Sequence, residues 1–298
     1  MRMHADQVHI EPRQVAALIA DQLPQWQGTD VVALPGGGTV HAIFRIGADA
    51  TARFPLRSGP PDEVRALLIS EADSAREFHR ASPFPAPEPL LIGEPGHGYP
   101  LPWAVQTWLD GETASPSTSA MSDGLARDLA ELIGVLRRCD TGGRTFNGNN
   151  RGGDLRNHDA WMQECIGRSE ELLDRGTMQR MWTQFRVLPR DQPDVMSHTD
   201  LTPGNLLVTA GRLAGVLDTG GFQPADPALD LVCAWHLFDD RAREVLRATL
   251  GCGDLEWQRG RAWAFEQALG AYWYYRDTNP AMGAMGRTTL ERLIATES

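Results

Sequence analysis

Asp200, Asn205 and Asp218 are the residues of this chain whose types and spacing could do chemistry. They lie in SHTDLTPGNLLV, residues 197–208, and in VLDTGGF, residues 216–222. Pro203-Gly204 separates Asp200 from Asn205 and prevents a helix there. The stretch is therefore a loop in which both polar side chains can turn toward one point. Asn205 opens one apolar run, and Asp218 closes the next. If those runs pair as a hairpin, an amide carbonyl and a carboxylate sit at neighbouring strand ends. Such hard oxygen donors suit a Mg²⁺ ion that also holds phosphate oxygens. Asp200, close by and not needed as a ligand, can accept a proton from a hydroxyl. Any one of the three alone would more often be turn or capping chemistry, so the argument rests on the set. A transition-metal site built on His198 and Asp200 would need a second well-spaced His, which the sequence does not offer.

The elements that must position these residues can be read from periodicity. Helical spacing runs from Pro12 to Trp26 and stops near Pro24. Residues 30–55 read as strand, glycine turn at Pro35-Gly36-Gly37-Gly38, strand, tight turn at Gly47-Ala48-Asp49, strand. A helix follows over Asp62–Arg80, then a proline-dense segment with short strands near Leu90–Ile92 and Trp103–Leu109. Ser115–Ser122 reads as a polar linker and Asp123–Arg138 as an amphipathic helix. A Gly- and Asn-rich loop covers Thr141–Gly153, and two helices are expected before Pro189. Two β-like runs, Asn205–Val208 and Leu213–Leu217, meet at Ala210-Gly211, and the last ~70 residues read mostly helical. A small β-rich part followed by a larger helical part is an α+β, two-lobe pattern.

Composition narrows the function classes. The 298 residues suffice for one large domain or two lobes. A formal net charge of −11 repels nucleic acid and anionic membranes, so neither is an expected partner. All 28 basic residues are Arg, which excludes any mechanism that needs a lysine. Cys139, Cys165, Cys233 and Cys252 have no metal-site or redox-motif spacing and read as free thiols. With no signal-peptide core and no membrane-length apolar run, a soluble cytoplasmic protein is expected.

The segment HTDLTPGN resembles the catalytic loop of the aminoglycoside phosphotransferase family, whose pattern is His-Gly-Asp, four residues, Asn. That loop is similar to the one in protein kinases. The resemblance continues through LDTGGFQPADPALDLVCAW, which matches the family's metal-binding Asp, a Gly, Asp-Pro and Asp-Leu. It covers nearly the whole chain and implies a two-lobed, protein-kinase-like fold. Residues 1–108 would form the nucleotide-binding lobe and 109–298 the catalytic and substrate-binding lobe, with ATP or GTP in the cleft.

By the same resemblance, Asp200 is the catalytic base or hydroxyl-orienting residue, and Asn205 and Asp218 bind Mg²⁺. Gly36, Gly37, Gly38 and Thr39 cover the phosphates with backbone N–H groups. Arg53 stands where the strand lysine would be and pairs with Glu71. Gln106 to Trp108 form the hinge that meets the base, and His198 packs the catalytic loop. Asp226-Pro227 and Asp230 take structural places. The expected acceptor is a small-molecule hydroxyl, with a cationic aminoglycoside-type antibiotic first and a macrolide, amino-alcohol or sugar next. Its pocket would be made by Thr141–Gly153 and the last helices. Thr199 replaces the family's Gly, Thr219 replaces its aromatic or small apolar residue, and no lysine is present. These departures motivate an alternative, a nucleotide-binding pseudokinase without turnover. Tyr272-Trp273-Tyr274-Tyr275 is expected to be mostly core packing, and Asp154, Asp159, Glu164 and Asp239-Asp240 mostly solvated surface.

Overall fold

The computed structural model describes residues 8–34, 40–169, 173–276 and 278–295. The chain divides into two compact units, one of residues 1–80 with 86–110 and one of residues 81–85 with 111–298.

In the first unit, helix α1 (Pro12–Gln22) begins at a proline and a reciprocal Glu11–Gln14 capping box. Five strands follow in an antiparallel sheet: β1 (Val31–Ala33), β2 (His41–Ile46), β3 (Ala50–Pro55), β4 (Pro89–Gly93) and β5 (Trp103–Thr107), in the order β1-β2-β3-β5-β4. Helix α2 (Pro61–Ala81) lies between β3 and β4 in sequence. Val15, Leu18 and Ile19 of α1 pack with Phe44, Ile46, Phe54, Trp103 and Val105 of the sheet. Phe54 stacks on Trp103 at 4.9 Å between ring centroids. A Cβ at Gly93 would come within 2.3 Å of the Trp103 indole, so only glycine lets β4 pass that ring. Tyr99 closes the layer, its buried hydroxyl donating to the Pro55 carbonyl at 2.7 Å.

The second unit holds β6 (Glu112–Thr113), α3 (Pro116–Ser119), α4 (Asp123–Arg137), α5 (Asp159–Arg168), α6 (Arg175–Phe185), β7 (Val195–Ser197), β8 (Leu206–Thr209), β9 (Arg212–Val216), β10 (Gln223–Ala225), α7 (Val232–Leu237), α8 (Asp240–Leu250), α9 (Asp254–Tyr274) and α10 (Pro280–Ala295). The stretch read as a polar linker thus contains one helical turn, α3, started by Pro116. The order predicted from the sequence otherwise holds, but β6, β7 and β10 have only two or three residues and carry no periodicity to detect. Helix α9 is buried along its middle, with Arg259, Glu266 and Gln267 among its buried residues, and α10, α7, α5 and α6 pack around it. A helix covered on all sides has no polar face, so its few polar side chains must find partners inside.

Candidate active site

Two loops in the second unit carry the chemistry-bearing residues, and the pairing of four short strands sets them face to face. Residues 198–205 connect β7 to β8, and residues 217–222 connect β9 to β10. Strand β7 pairs with β10, Ser197 opposite Gln223, while β8 pairs with β9, Leu206 opposite Val216. Each loop is therefore tied to the other at both ends. The β8–β9 turn has Ala210 at φ 50° and Gly211 at φ 73°, the positive pair that matches a tight hairpin to strand twist.

Backbone and side-chain hydrogen bonds then fix the details. Leu217 N–H donates to the Asn205 carbonyl at 2.8 Å, so Asp218 begins beside Asn205. Asn205 Nδ2 donates to the Asp200 carbonyl at 2.9 Å and to Asp200 Oδ2 at 3.0 Å. Both N–H bonds of the amide are thereby engaged, and Oδ1 is what Asn205 retains to offer a cation. Asp218 adopts a left-handed conformation, φ 56° and ψ 46°, which Asp tolerates better than most residues. A carboxylate and a side-chain amide carbonyl are both hard-oxygen donors, and Mg²⁺ commonly takes one or two protein oxygens and fills the rest of its shell with phosphate and water. The donor chemistry fits that ion. No group of three His, Cys, Asp or Glu able to hold a metal occurs among the described residues.

Buried carboxylates hold the loop from behind. Asp230 accepts the His198 N–H at 2.9 Å on one oxygen and the Thr199 N–H at 3.0 Å on the other. His198 is fully buried, its Nε2 2.9 Å from the Leu217 carbonyl, and its Nδ1 accepts the Asp200 N–H at 3.2 Å. A ring protonated on Nε2 satisfies both bonds and bridges the two loops. Asp226 is paired with buried Arg259, and its Oδ2 accepts the Trp263 Nε1–H at 2.9 Å. Thr199 sits at φ 73°, in the region that favours glycine. Its hydroxyl donates to the Gly221 carbonyl at 3.2 Å, which helps hold the unfavourable backbone. A Cβ at Gly221 would stand 2.8 Å from that same hydroxyl, so Thr199 requires glycine opposite it.

Sequence reasoning missed three side chains that touch this centre. Arg151, in the 141–153 loop, places a guanidinium nitrogen 3.4 Å from Asp200 Oδ1 and another 3.7 Å from Glu266. Glu266 is buried and also meets His158 Nδ1 at 3.0 Å. Gln267 Nε2 donates to Asp200 Oδ1 at 2.7 Å. The available signal was AFEQALG, two polar residues inside an otherwise apolar stretch, Glu266 two turns after Arg259 and Gln267 one turn after Trp263.

The remaining expected positions lie in the first unit or outside the described residues. Gly36, Gly37, Gly38 and Thr39 fall outside the described residues. Arg53 is half-buried on β3, Glu71 half-buried on α2, and Gln106 on β5 pairs with Thr51. The Trp108 N–H donates to the Asp49 carbonyl at 2.8 Å, so while that bond stands it is not offered to a base. Its ring lies under the Arg45 guanidinium at 4.4 Å. The aromatic run differs from expectation, because Tyr272, Trp273 and Tyr275 are half-buried and Tyr274 is exposed. The run falls at the C-terminal end of α9, beyond its buried middle. The acidic residues read as surface have local partners: Asp239 and Asp154 cap helix starts, and Asp159 binds Arg186 and Trp182.

A sequence profile described as the phosphotransferase enzyme family matches residues 30–264. The chain belongs to that phosphotransferase family. Its similarity to a curated relative, the aminoglycoside 3'-phosphotransferase of Escherichia coli, is 32% identity over 82 residues, 26% of this chain and 30% of that one. The aligned stretch thus spans under a third of the relative's length. Among solved structures, the GDP complex of aminoglycoside 2'-phosphotransferase-IIIa superposes with a TM-score of 0.73 at 19% identity, covering 97% of this chain and 100% of that one. A macrolide 2'-phosphotransferase of Brachybacterium faecium gives 0.62 at 18% identity, covering 92% and 97%. These likenesses show that the phosphotransferase-family chain has the fold of those kinases, mixed helix and antiparallel sheet. No helix among its described residues is long and apolar enough to cross a membrane.

Proposed function

We propose that this chain moves the γ-phosphoryl group of ATP or GTP to a hydroxyl of a small molecule, with an aminoglycoside-type antibiotic as the leading acceptor. The observation that carries the reading is the pairing of loops 198–205 and 217–222, which sets Asp200 beside Asn205 and Asn205 beside Asp218. In this reading Asp200 orients the acceptor hydroxyl and takes its proton as the bond to phosphorus forms. Asn205 Oδ1 and the Asp218 carboxylate hold Mg²⁺, which when bound offsets the charge on the phosphate oxygens. Arg53 contacts the α- and β-phosphates and pairs with Glu71, the glycine run with Thr39 covers them, and Gln106 to Trp108 flank the base. Most of the rate enhancement then comes from alignment and fixed charge rather than from covalent chemistry with the protein.

The net charge of −11 supports a cationic acceptor. A second reading is a macrolide, amino-alcohol or sugar, and one observation favours its uncharged member, the sugar: the Arg151 guanidinium, which would repel an amine, already lies 3.4 Å from Asp200. A panel of all four acceptor classes incubated with Mg²⁺ and either nucleotide, read by mass gain of one phosphoryl group, decides between them. Phosphorylation of an aminoglycoside supports the first reading, and of a sugar, macrolide or amino-alcohol the second. Nucleotide binding with no product on any acceptor would leave the pseudokinase alternative standing instead.

A further inference from the structure

The polar network at Asp200 does not stop at the loop but runs inward through three helices. Gln267 of α9 donates from Nε2 to Asp200 Oδ1 at 2.7 Å, and its Oε1 lies 3.0 Å from His236 Nε2 on α7. His236 Nδ1 lies 2.9 Å from the hydroxyl of Thr289 on α10. Gln267 is 8% exposed, and His236 and Thr289 are fully buried.

Only one arrangement of protons satisfies every atom. An ionised carboxylate offers acceptors alone, so Gln267 must present its NH₂ to Asp200 and its carbonyl oxygen to His236. His236 must then carry its proton on Nε2, and its Nδ1 must accept from the Thr289 hydroxyl. Every hydrogen bond points toward Asp200, a sense in which each donor polarises the next. Burial pushes the His236 pKa down to about 4, against the Gln267 hydrogen bond and with help from Arg151 and Arg292, so the ring is neutral near pH 7.

We propose that Thr289, His236 and Gln267 are positioning residues for Asp200, a directional donor chain that fixes the rotation of its carboxylate. The proposal rests on the reading of Asp200 as the residue that orients the acceptor hydroxyl. Two donors are needed to stop a carboxylate from turning, and the two oxygens are held from different elements: Oδ2 by Asn205 of the loop at 3.0 Å, Oδ1 by Gln267 of α9 at 2.7 Å, with the longer Arg151 contact at 3.4 Å on that same oxygen. With both held, the remaining lone pairs keep one direction for the incoming hydroxyl, as the supporting residues of precise sites do. An apolar core would hold α7, α9 and α10 together at least as well, so helix packing does not by itself explain a buried Gln-His-Thr series.

The test combines ring NMR with steady-state kinetics on the full chain. The ¹⁵N-labelled wild type should show His236 as the Nε2–H tautomer. Thr289→Val should keep the Nε2–H tautomer, shift the Nδ1 resonance to that of a ring nitrogen without a donor, and lower kcat about 10–100-fold, leaving KM for the nucleotide nearly unchanged. Thr289→Ser should restore both the Nδ1 resonance and kcat. Gln267→Met, which removes the donor but not the volume, should lower kcat by a similar factor. A wild-type ring protonated on Nδ1 would overturn the chain, as would a folded Thr289→Val protein with unchanged kcat. The tautomer is read without any acceptor, so the two failures separate. Activity surviving Asp200→Asn overturns the role of Asp200, and the positioning role with it, whatever the ring shows.

Discussion

Asp200 is held by the Asn205 and Gln267 amides and by the Arg151 guanidinium, and leaves 38% of its side chain open to an incoming group. Replacing it by Ala should cut kcat by about 10²–10⁴-fold, the usual share of a positioned base, while nucleotide affinity measured by calorimetry stays close to wild type. Thr199 is the residue whose identity most needs a physical account. A β-branched side chain at φ 73° stores strain of about 1–3 kcal/mol, and such strain persists only where neighbours enforce it. Here Asp230, Ser197 and Gly221 all bond to Thr199. Gly221→Ala should push the Thr199 hydroxyl aside and destabilise the loop by about 1–3 kcal/mol, as overpacking does. Adding Thr199→Gly should return most of the lost stability, a coupling that a double-mutant cycle measures. Additive losses in that cycle would contradict the contact.

At the scale of elements, the site is a product of strand pairing that is only partly written in local sequence. The hairpin could be read because Asn205–Val208 and Leu213–Leu217 are apolar and flank Ala210-Gly211. Strands β7 and β10 could not, since three residues are too few to alternate, yet their pairing brings the second end of each loop together. Helix α9 was legible as a helix, but the direction of Glu266 and Gln267 depends on packing against segments 108 and 67 residues earlier in sequence. The charged pair Asp226–Arg259 shows the cost of that design. Both partners are almost fully buried, and Arg259 also donates to the Leu188 carbonyl at 2.8 Å. Asp226→Ala would leave a guanidinium buried without its counter-charge, a loss of about 3–5 kcal/mol in urea unfolding. A loss under about 1 kcal/mol would mean that Arg259 escapes to water in the variant.

Across the whole molecule, pH should act on stability through two separate windows. Unfolded histidine takes up its proton near pH 6.5, whereas burial delays His236 in the folded chain to about 4. Between those values the unfolded state holds more protons, so stability falls as pH drops through the window, by on the order of 3 kcal/mol in total. Urea midpoints taken from pH 7 to 4 should show that slope, and His236→Gln should flatten it. At Asp128, burial raises the carboxyl pKa but hydrogen bonds from Arg212 and the Leu213 N–H, with the Arg212 charge, more than reverse it. Because that folded pKa lies below the ordinary 3.8, its contribution is lost only at lower pH, after the histidine window has closed. Neither window touches the central claim, that the two facing loops assemble one ion site beside Asp200. Mn²⁺ with nucleotide, substituted for Mg²⁺, tests it most directly through paramagnetic broadening of amide signals. The Asn205 side-chain amide and the backbone amides of Asp218 and Thr219 should broaden together, and Asp218→Asn should abolish the effect. Sharp signals at all three positions, with broadening confined to a surface group such as Asp239-Asp240, would contradict it.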